Sequence, residues 1–205
     1  MKSEFKYPHE LNERELAQIY AIHEKVYASK GVGLEFDVWQ NHLLKKQYHN
    51  LAGKLLQLFY LYDSHRIDAY HILTESVLIE GERWSKLIEV GSSPKSRRDS
   101  KRVFLNLYKD LFSLRNNIIF FGEAGVEHHT VTDLLIESKF DVFYDVSQLD
   151  TVFKTFLQSD EFALCRGTNG VEIKRKTFIT PTYHGYVVVY DYRNLLNSNF
   201  YGADK

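Results

Sequence analysis

The densest group of side chains that could bind a charged ligand lies at residues 97–102. Its sequence is RRDSKR, with four cations in six positions, and it follows a predicted strand and Pro94. Arginine and lysine at this density can hold a phosphate group through charge-assisted hydrogen bonds. The same composition is typical of a solvated basic loop, so both interpretations stay open.

Other residue types that carry chemistry are scattered along the chain. His128 and His129 are adjacent, so on a helix their side chains point about 100° apart and cannot easily share one metal ion. No metal-ligand spacing is found for His65, His71 and His184. Cys165 is the only cysteine, which excludes an internal disulfide and fits a structural role in a reducing compartment. The sequence therefore predicts no metal site.

Composition limits the class of protein. The length of 205 residues predicts one domain, and 44% hydrophobic with 26% charged residues is typical of a packed globule. The net charge of −1 gives no overall attraction to nucleic acid. Residues 1–15 are rich in charge and unlike a signal peptide, and no window approaches the roughly 18 apolar residues of a membrane span. We therefore expect a cytoplasmic protein with no nucleic-acid partner and no membrane span.

Apolar spacing predicts the elements at the start of the chain. Asn12 followed by Glu15 has the form of a capping box, which predicts that a helix begins there. Apolar residues recur at helical spacing up to Gly31, where the helix should end. A second helix is predicted from near Asp37, and a short strand is predicted at residues 5–7.

The period then changes to that of strands. Residues 55–62 and 67–73 are predicted to form a hairpin, and residues 84–92 a further strand. A loop is predicted at 93–102, followed by a helix whose apolar stripe runs over 104–112.

The second half contains alternating strand and helix patterns. The continuous apolar run at 118–121 predicts a strand covered on both faces. A helix is predicted at 130–138, a strand at 140–146 and a late strand at 186–190.

This order of elements resembles the GCN5-related N-acetyltransferase (GNAT) superfamily. The resemblance covers roughly residues 3–146 and the late strand at 186–192. It implies an α/β (α+β) fold with a mixed, mostly antiparallel central sheet flanked by helices, which opens after its fourth strand to admit an acyl-pantetheine arm. We expect residues 1–205 to form a single acyltransferase domain, with 147–183 as an insertion before the last strand.

The family's signature is a strand followed by the loop R/Q-x-x-G-x-G/A, whose backbone amides and following helix hold the pyrophosphate of coenzyme A. Arg97 matches the opening position, whereas Ser100 and Arg102 replace the two glycines that let backbone approach phosphate closely. The cations could bind phosphate by side chain instead, on coenzyme A or on the phosphopantetheine and acidic surface of an acyl carrier protein. Alternatively, the loop no longer binds coenzyme A. The resemblance implies a cofactor site at Val90, Ser92, Arg97, Arg98, Asp99, Ser100, Lys101 and Arg102.

The family's usual general-acid tyrosine is also replaced. In the segment 135–140 it falls on Leu135, and the glycine that follows it falls on Lys139, while Phe140 matches the family. Leucine cannot protonate a leaving thiolate. Acyltransferases of this fold that manage without the tyrosine include acyl-homoserine-lactone synthases and N-acyl amino acid synthases, which take acyl chains from carrier protein. The resemblance thus points to that branch, or to a protein without catalysis.

Carboxylates on the fourth strand of this family deprotonate the attacking amine. Glu89 lies at that place in the sequence, in Leu-Ile-Glu-Val, and Glu123 at the end of the next strand is the second candidate. An outward-facing Glu89, or one paired with a lysine, remains the structural alternative.

Two functions are therefore expected from different classes. The first is an N-acyltransferase that moves an acyl group from acyl-CoA or acyl carrier protein to a small-molecule amine. The alternative is a catalytically inactive GNAT-fold module that binds a ligand or another protein.

Overall fold

The computed structural model of the chain describes residues 1–28, 33–45, 55–79, 81–93, 97–125, 137–139, 141–143, 179–180 and 183–193. The chain begins with strand β1 (Lys2–Lys6), followed by a short 3-10 turn at Pro8–Glu10. Two helices come next, α1 (Glu13–Tyr27) and α2 (Phe36–Lys45). The predicted first strand and both predicted helices are thereby confirmed.

Helix α1 begins where the sequence predicts, because its cap is local. The Asn12 side chain accepts a hydrogen bond from the Glu15 backbone N–H at 2.9 Å, and the Glu15 carboxylate accepts one from the Asn12 N–H at 3.0 Å. These two bonds satisfy N–H groups for which the first turn has no partner. The helix ends at Tyr27, short of the predicted stop at Gly31.

Strands β2 (Leu56–Asp63) and β3 (Arg66–Thr74) form the predicted hairpin. They are followed by β4 (Val77–Ile79), a short strand that the apolar pattern does not predict, and by β5 (Glu82–Ser92). Between β4 and β5, Gly81 has φ of 86°, a backbone conformation that glycine adopts without steric cost.

Helix α3 (Arg97–Leu114) begins earlier than the sequence predicts. The predicted loop extended to Arg102, and that prediction was wrong, because residues 97–102 form the first turns of the helix. The apolar stripe starts only at Val103, which is buried, whereas Lys101 and Arg102 are exposed. Turns made of charged and polar residues carry no periodic apolar signal, so the pattern misses them.

The remaining described strands are β6 (Ile118–Gly125), β7 (Asp141–Phe143), β8 (Ile179–Thr180) and β9 (Tyr183–Tyr190). Strand β6 extends beyond the predicted run at 118–121, and β9 contains the predicted late strand at 186–190. Most of the helix predicted at 130–138 and of the strand predicted at 140–146 lies outside the described residues. The same holds for most of the predicted insertion, so the domain organisation stays a prediction.

The strands form one sheet in the order β1-β2-β3-β5-β6-β9-β7, with β4 paired to β5 and β8 paired to β9. Within the described part of the chain, β5 with β6 is the one parallel pair, and all other pairs are antiparallel. This arrangement confirms the predicted fold class, a mixed and mostly antiparallel sheet flanked by helices.

The helices cover opposite faces of the sheet. Helices α1 and α2 pack on one face, where the core includes Ile19, Trp39, Leu58, Tyr70 and Ile72. Helix α3 packs on the other face, where the core includes Phe59, Leu73, Leu87, Leu107 and Leu111. None of the helices in the described ranges is long and apolar enough to cross a bilayer.

Candidate functional site

Strands β5 and β6 run side by side over only part of their length. They pair in parallel at Arg83–Lys86 and Ile118–Phe121. Beyond these residues β5 stays paired with β3 as far as Ser92, while β6 stays paired with β9 as far as Gly125. The two strands therefore separate. Beyond that point, the backbone groups on the edge of β5 that faces β6 need other hydrogen-bond partners.

A β-bulge in β5 decides which way Glu89 faces. Ile72 of β3 pairs with Glu89 and Leu73 pairs with Leu87, so Ile88 is an extra residue in the ladder. Leu87 packs in the α3 core and Ile88 against the α1 core. Without the bulge, Glu89 would alternate back to the α3 face; with it, Glu89 faces α1.

On the α1 face, two donors contact the Glu89 carboxylate. His23 Nδ1 lies 2.9 Å from Glu89 Oε1, and the Tyr70 hydroxyl donates to the same oxygen. The side chains of His23 and Glu89 are 3% and 10% exposed, so the contact is largely shielded from water. Among the described residues Glu89 is thus neither outward-facing nor paired with a lysine, and its role as a base stays a prediction.

Aromatic rings surround His23. Its imidazole ring centroid lies 5.9 Å from that of Tyr20, 5.0 Å from that of Tyr27 and 5.6 Å from that of Trp39. On its far side, His23 Nε2 accepts a hydrogen bond from the Leu34 backbone N–H at 3.2 Å. The imidazole is therefore held in one place by packing and by hydrogen bonds at both nitrogens.

Close packing of α1 on β5 requires a glycine next to this group. A Cβ at Gly91 would lie 2.7 Å from Tyr70 Cε1 and 2.8 Å from Ile22 Cγ2. Real Cβ atoms essentially never approach other atoms so closely. Gly91 thus makes room for the Tyr70 ring that contacts Glu89.

Val90, predicted as a cofactor-binding residue, lies on the separated edge of β5. The Tyr27 hydroxyl donates to the Val90 carbonyl at 2.9 Å and accepts from the Val90 N–H at 3.3 Å. Tyr27 therefore occupies the backbone groups that a ligand lying along this edge would contact.

The predicted phosphate site is brought together at the end of β5 and the start of α3. The hydroxyls of Ser92 and Ser100 lie 3.3 Å apart and join the two elements. Arg97 and Arg98 supply the first residues of α3. The positive end of the helix dipole favours an anion at this position.

Two of the predicted cations have acidic neighbours. Lys101 Nζ lies 2.6 Å from Glu137 Oε1, and Arg102 Nη2 lies 3.9 Å from Asp99 Oδ1. The Arg102 side chain is 70% exposed, so its pair is weak. Asp99 also places negative charge in the first turn, where it competes with a phosphate for the helix dipole.

The structure describes the remaining predicted site residues only in part. Glu123 lies on β6 opposite Val187 of β9, and its side chain is outside the description, as is Leu135. Lys139, where the family has glycine, has φ of 70°. This chain thus adopts at that position the left-handed conformation that glycine favours.

A buried histidine lies on the opposite face of the sheet. His71 Nδ1 donates to the Ile72 carbonyl at 3.2 Å, and Tyr108 Oη lies 3.4 Å from His71 Nε2. Burial lowers the pKa of His71 to about 4, against backbone hydrogen bonds to Ile72 and Glu89 that raise it. Burial likewise raises the pKa of Tyr108. His71 is therefore neutral at physiological pH.

Sequence reasoning missed three residues of this site, namely His23, Tyr27 and Tyr70. For His23 and Tyr27 the only signal in the sequence is weak: they are polar or amphipathic residues within the apolar stripe of α1. Tyr70 has no such signal, because it lies in a strand that is rich in aromatic and aliphatic residues. For metals, no group of three or more His, Cys, Asp or Glu side chains in the described ranges could hold an ion. The prediction of no metal site stays a prediction.

Comparison with known proteins assigns the fold. The sequence matches no protein-family model and no curated protein. Its structure matches solved acetyltransferases along most of both chains. The chain therefore has the GNAT fold.

Three solved structures illustrate the match. A chimera of spermidine N-acetyltransferase SpeG from Vibrio cholerae and hSSAT is 13% identical with a TM-score of 0.56, over 96% of this chain and 99% of that one. An acetyltransferase from Streptococcus agalactiae is 13% identical with a TM-score of 0.52, over 91% and 96%. An acyl-CoA N-acyltransferase from Pseudomonas aeruginosa is 10% identical with a TM-score of 0.51, over 93% and 99%.

Proposed function

We propose that this chain is an N-acyltransferase that transfers an acyl group from a thioester donor to an amine acceptor. The observation that carries the proposal is the separation of β5 from β6 beside a shielded carboxylate, Glu89, in the GNAT fold. The separated strands offer a slot for a thioester arm, and the carboxylate offers a proton acceptor next to it. The solved acetyltransferases of this fold support the same reaction class.

The chemistry assigned to Glu89 is general-base catalysis. The acceptor arrives as an ammonium ion, and the Glu89 carboxylate takes one of its protons. The freed amine nitrogen attacks the thioester carbonyl carbon, so that a C–N bond forms and the C–S bond breaks. The sulfur leaves as a thiolate and takes up the second proton, which the attacking nitrogen loses, so that the nitrogen carries the acyl group as an amide with one remaining hydrogen. Glu123 remains the second candidate for the base.

Val90, Ser92 and residues 97–102 are the proposed donor site. A pantetheine arm along β5 would replace the Tyr27 hydroxyl at the Val90 N–H and carbonyl groups. The phosphates would then lie at the N-terminus of α3, near Arg97 and Arg98. We propose acyl-CoA or an acyl-phosphopantetheine as co-substrate, without a metal ion.

The assay that tests this function measures thiol release. Acetyl-, octanoyl- and palmitoyl-CoA are each offered with a panel of amines that contains amino acids, homoserine lactone and spermidine. We expect amine-dependent thiol release with at least one pair and its loss in Glu89→Gln. The matched control is Glu4→Gln, which should retain activity. In the wild type the Glu4 carboxylate accepts a hydrogen bond from Tyr60 on β2.

An acyl carrier protein is the second proposed donor, and the basic surface near the phosphate site supports it. A cleft between α1 and the β2–β3 turn is lined by Arg14, Lys25 and Arg66, the last of which pairs with Asp68 at 2.8 Å, and it reaches Ser93, the residue after β5. Carrier proteins present an acidic surface, which such cations attract. This donor is proposed together with the N-acyl amino acid synthase-like and acyl-homoserine-lactone synthase-like branch.

Binding of acylated carrier protein tests this branch. Affinity should fall with salt and be lost in Arg97→Glu/Arg98→Glu, because the attraction is screened and then reversed. The control Lys2→Glu/Lys109→Glu makes the same charge change at exposed residues elsewhere. Absence of thiol release with every pair, with no binding of coenzyme A or carrier protein, would contradict the enzyme and leave the inactive module.

A further inference from the structure

We infer that His23 and Tyr70 are positioning residues that hold the Glu89 side chain with Oε2 presented to the acceptor amine. The inference rests on the proposed function, in which Glu89 takes the proton of the ammonium group. It assigns a role to two residues that sequence reasoning leaves in the core. It also assigns the two carboxylate oxygens different tasks.

The hydrogen bond from Leu34 fixes the tautomer of His23. A backbone N–H can only donate, so His23 Nε2 must accept and carries no proton. The ring proton is therefore on Nδ1, which faces Glu89 Oε1 at 2.9 Å and donates to it. A proton on Nε2 would bring two donors together there, so the geometry fits the tautomer with its proton on Nδ1.

Both donors in the group point to one oxygen of Glu89. Oε1 accepts from His23 Nδ1 and from the Tyr70 hydroxyl. No donor among the described residues reaches Oε2. Since the side chain keeps 10% of its surface exposed, Oε2 is the oxygen left to accept a proton from the acceptor.

Packing prevents the side chains of His23 and Tyr70 from rotating away from Glu89. His23 is enclosed by the Tyr20, Tyr27 and Trp39 rings, and Gly91 lets the Tyr70 ring lie directly against β5. The carboxylate is thus held by side chains that are themselves locked, which is what a catalytic base requires of its surroundings.

The tautomer is tested first, without any assay of activity. Long-range proton–nitrogen NMR on the full chain, labelled with nitrogen-15 histidine, should show His23 protonated at Nδ1 and unprotonated at Nε2 at pH 8. Assignment of the His23 signal comes from its loss in His23→Asn. A proton on Nε2, or an imidazolium, would overturn the inference whatever the enzyme's activity.

The role is tested with paired variants at one position. In His23→Asn the side-chain amide nitrogen takes the place of Nδ1 and can still donate to Glu89, whereas in His23→Leu the donor is lost. With the best donor and amine found for the wild type, we expect kcat to fall about 10- to 100-fold in His23→Leu, with the donor KM unchanged, and to stay within about 5-fold in His23→Asn. Tyr70→Phe, which keeps the ring, should also lower kcat with the donor KM unchanged.

The outcomes separate this inference from the proposed function. The positioning role is wrong, and the function stands, if the wild type is active and His23→Leu, His23→Asn and Tyr70→Phe all match it. The same conclusion follows if His23→Asn and His23→Leu lose kcat equally while their melting temperatures agree with that of the wild type. If no donor and amine react, the function fails, and the NMR experiment still decides the hydrogen-bond network. Should His23→Leu not fold, Tyr70→Phe and the NMR result decide the question.

Discussion

The Tyr27 hydroxyl binds both backbone groups of Val90, as donor to the carbonyl at 2.9 Å and as acceptor from the N–H at 3.3 Å. A side chain from the last turn of α1 thus takes the place that a neighbouring strand would occupy in a continuous sheet. It lies where β5 has already separated from β6. Any ligand that binds this edge of β5 has to displace the hydroxyl first.

Removal of that hydroxyl should strengthen binding of the donor. In Tyr27→Phe, coenzyme A no longer competes with an internal hydrogen bond at Val90, and a net hydrogen bond is worth about 1 kcal/mol, or about 5-fold in affinity. Titration calorimetry measures the change. Tyr20→Phe is the control, because its hydroxyl donates to the Leu34 carbonyl and not to β5. Equal or weaker binding in Tyr27→Phe would show that the donor does not use this edge.

A side chain at Gly91 should destabilise the protein. Gly91→Ala brings a methyl group to within 2.8 Å of atoms of Tyr70 and Ile22, so α1 or the Tyr70 ring must move. Overpacking of this kind costs about 1–3 kcal/mol, which urea unfolding measures. Ile22→Ala removes one of the two clashing groups, so the double variant should lose less than the sum of the single variants. Strict additivity would contradict the close approach of Ile22.

The buried His71 should make stability fall in mild acid. Burial lowers the pKa of His71 to about 4, below its value of about 6.5 in the unfolded chain. Between these values the unfolded state binds more protons, so the free energy of unfolding decreases as pH falls from 6.5 to 4, by about 2 kcal/mol at pH 5.

Urea unfolding at pH 7 and pH 5 measures this loss. Glutamine does not titrate in this range. The loss in free energy of unfolding between pH 7 and pH 5 should therefore be about 2 kcal/mol smaller in His71→Gln than in the wild type. Carboxylates that titrate nearby contribute to both proteins and cancel in the comparison. Equal pH dependence in the two proteins would mean that His71 is not buried as a neutral side chain.

Glycine at position 139 should stabilise the fold. Lys139 has φ of 70°, a conformation that costs an L-residue about 1–2 kcal/mol and costs glycine little. After allowance for the greater freedom of glycine in the unfolded chain, Lys139→Gly should raise the free energy of unfolding by about 0.5–1 kcal/mol, measured by urea unfolding. Lys139→Ala, which cannot relieve the backbone, serves as the control. A loss of stability in Lys139→Gly would contradict this backbone conformation.

Much of the fold could be predicted because its signals are local. The Asn12–Glu15 cap, the apolar stripe of α1 and the alternation of the β2–β3 hairpin each depend on residues close in the chain. Their order along the chain was enough to indicate the GNAT fold. Local signals fail where an element is short or charged, as in the first turns of α3 and the three residues of β4.

The candidate site, like the fold, could be predicted from the sequence only in part. The sequence by itself determined that Glu89 lies late in the strand that precedes the basic residues 97–102, because order along a chain is local information. Only the tertiary structure decided that Glu89 faces α1, since one extra residue at Ile88 reverses the alternation of side chains. Its contact with His23, 66 positions away, exists because α1 packs across β5, and no spacing rule reports which side chains such packing brings together.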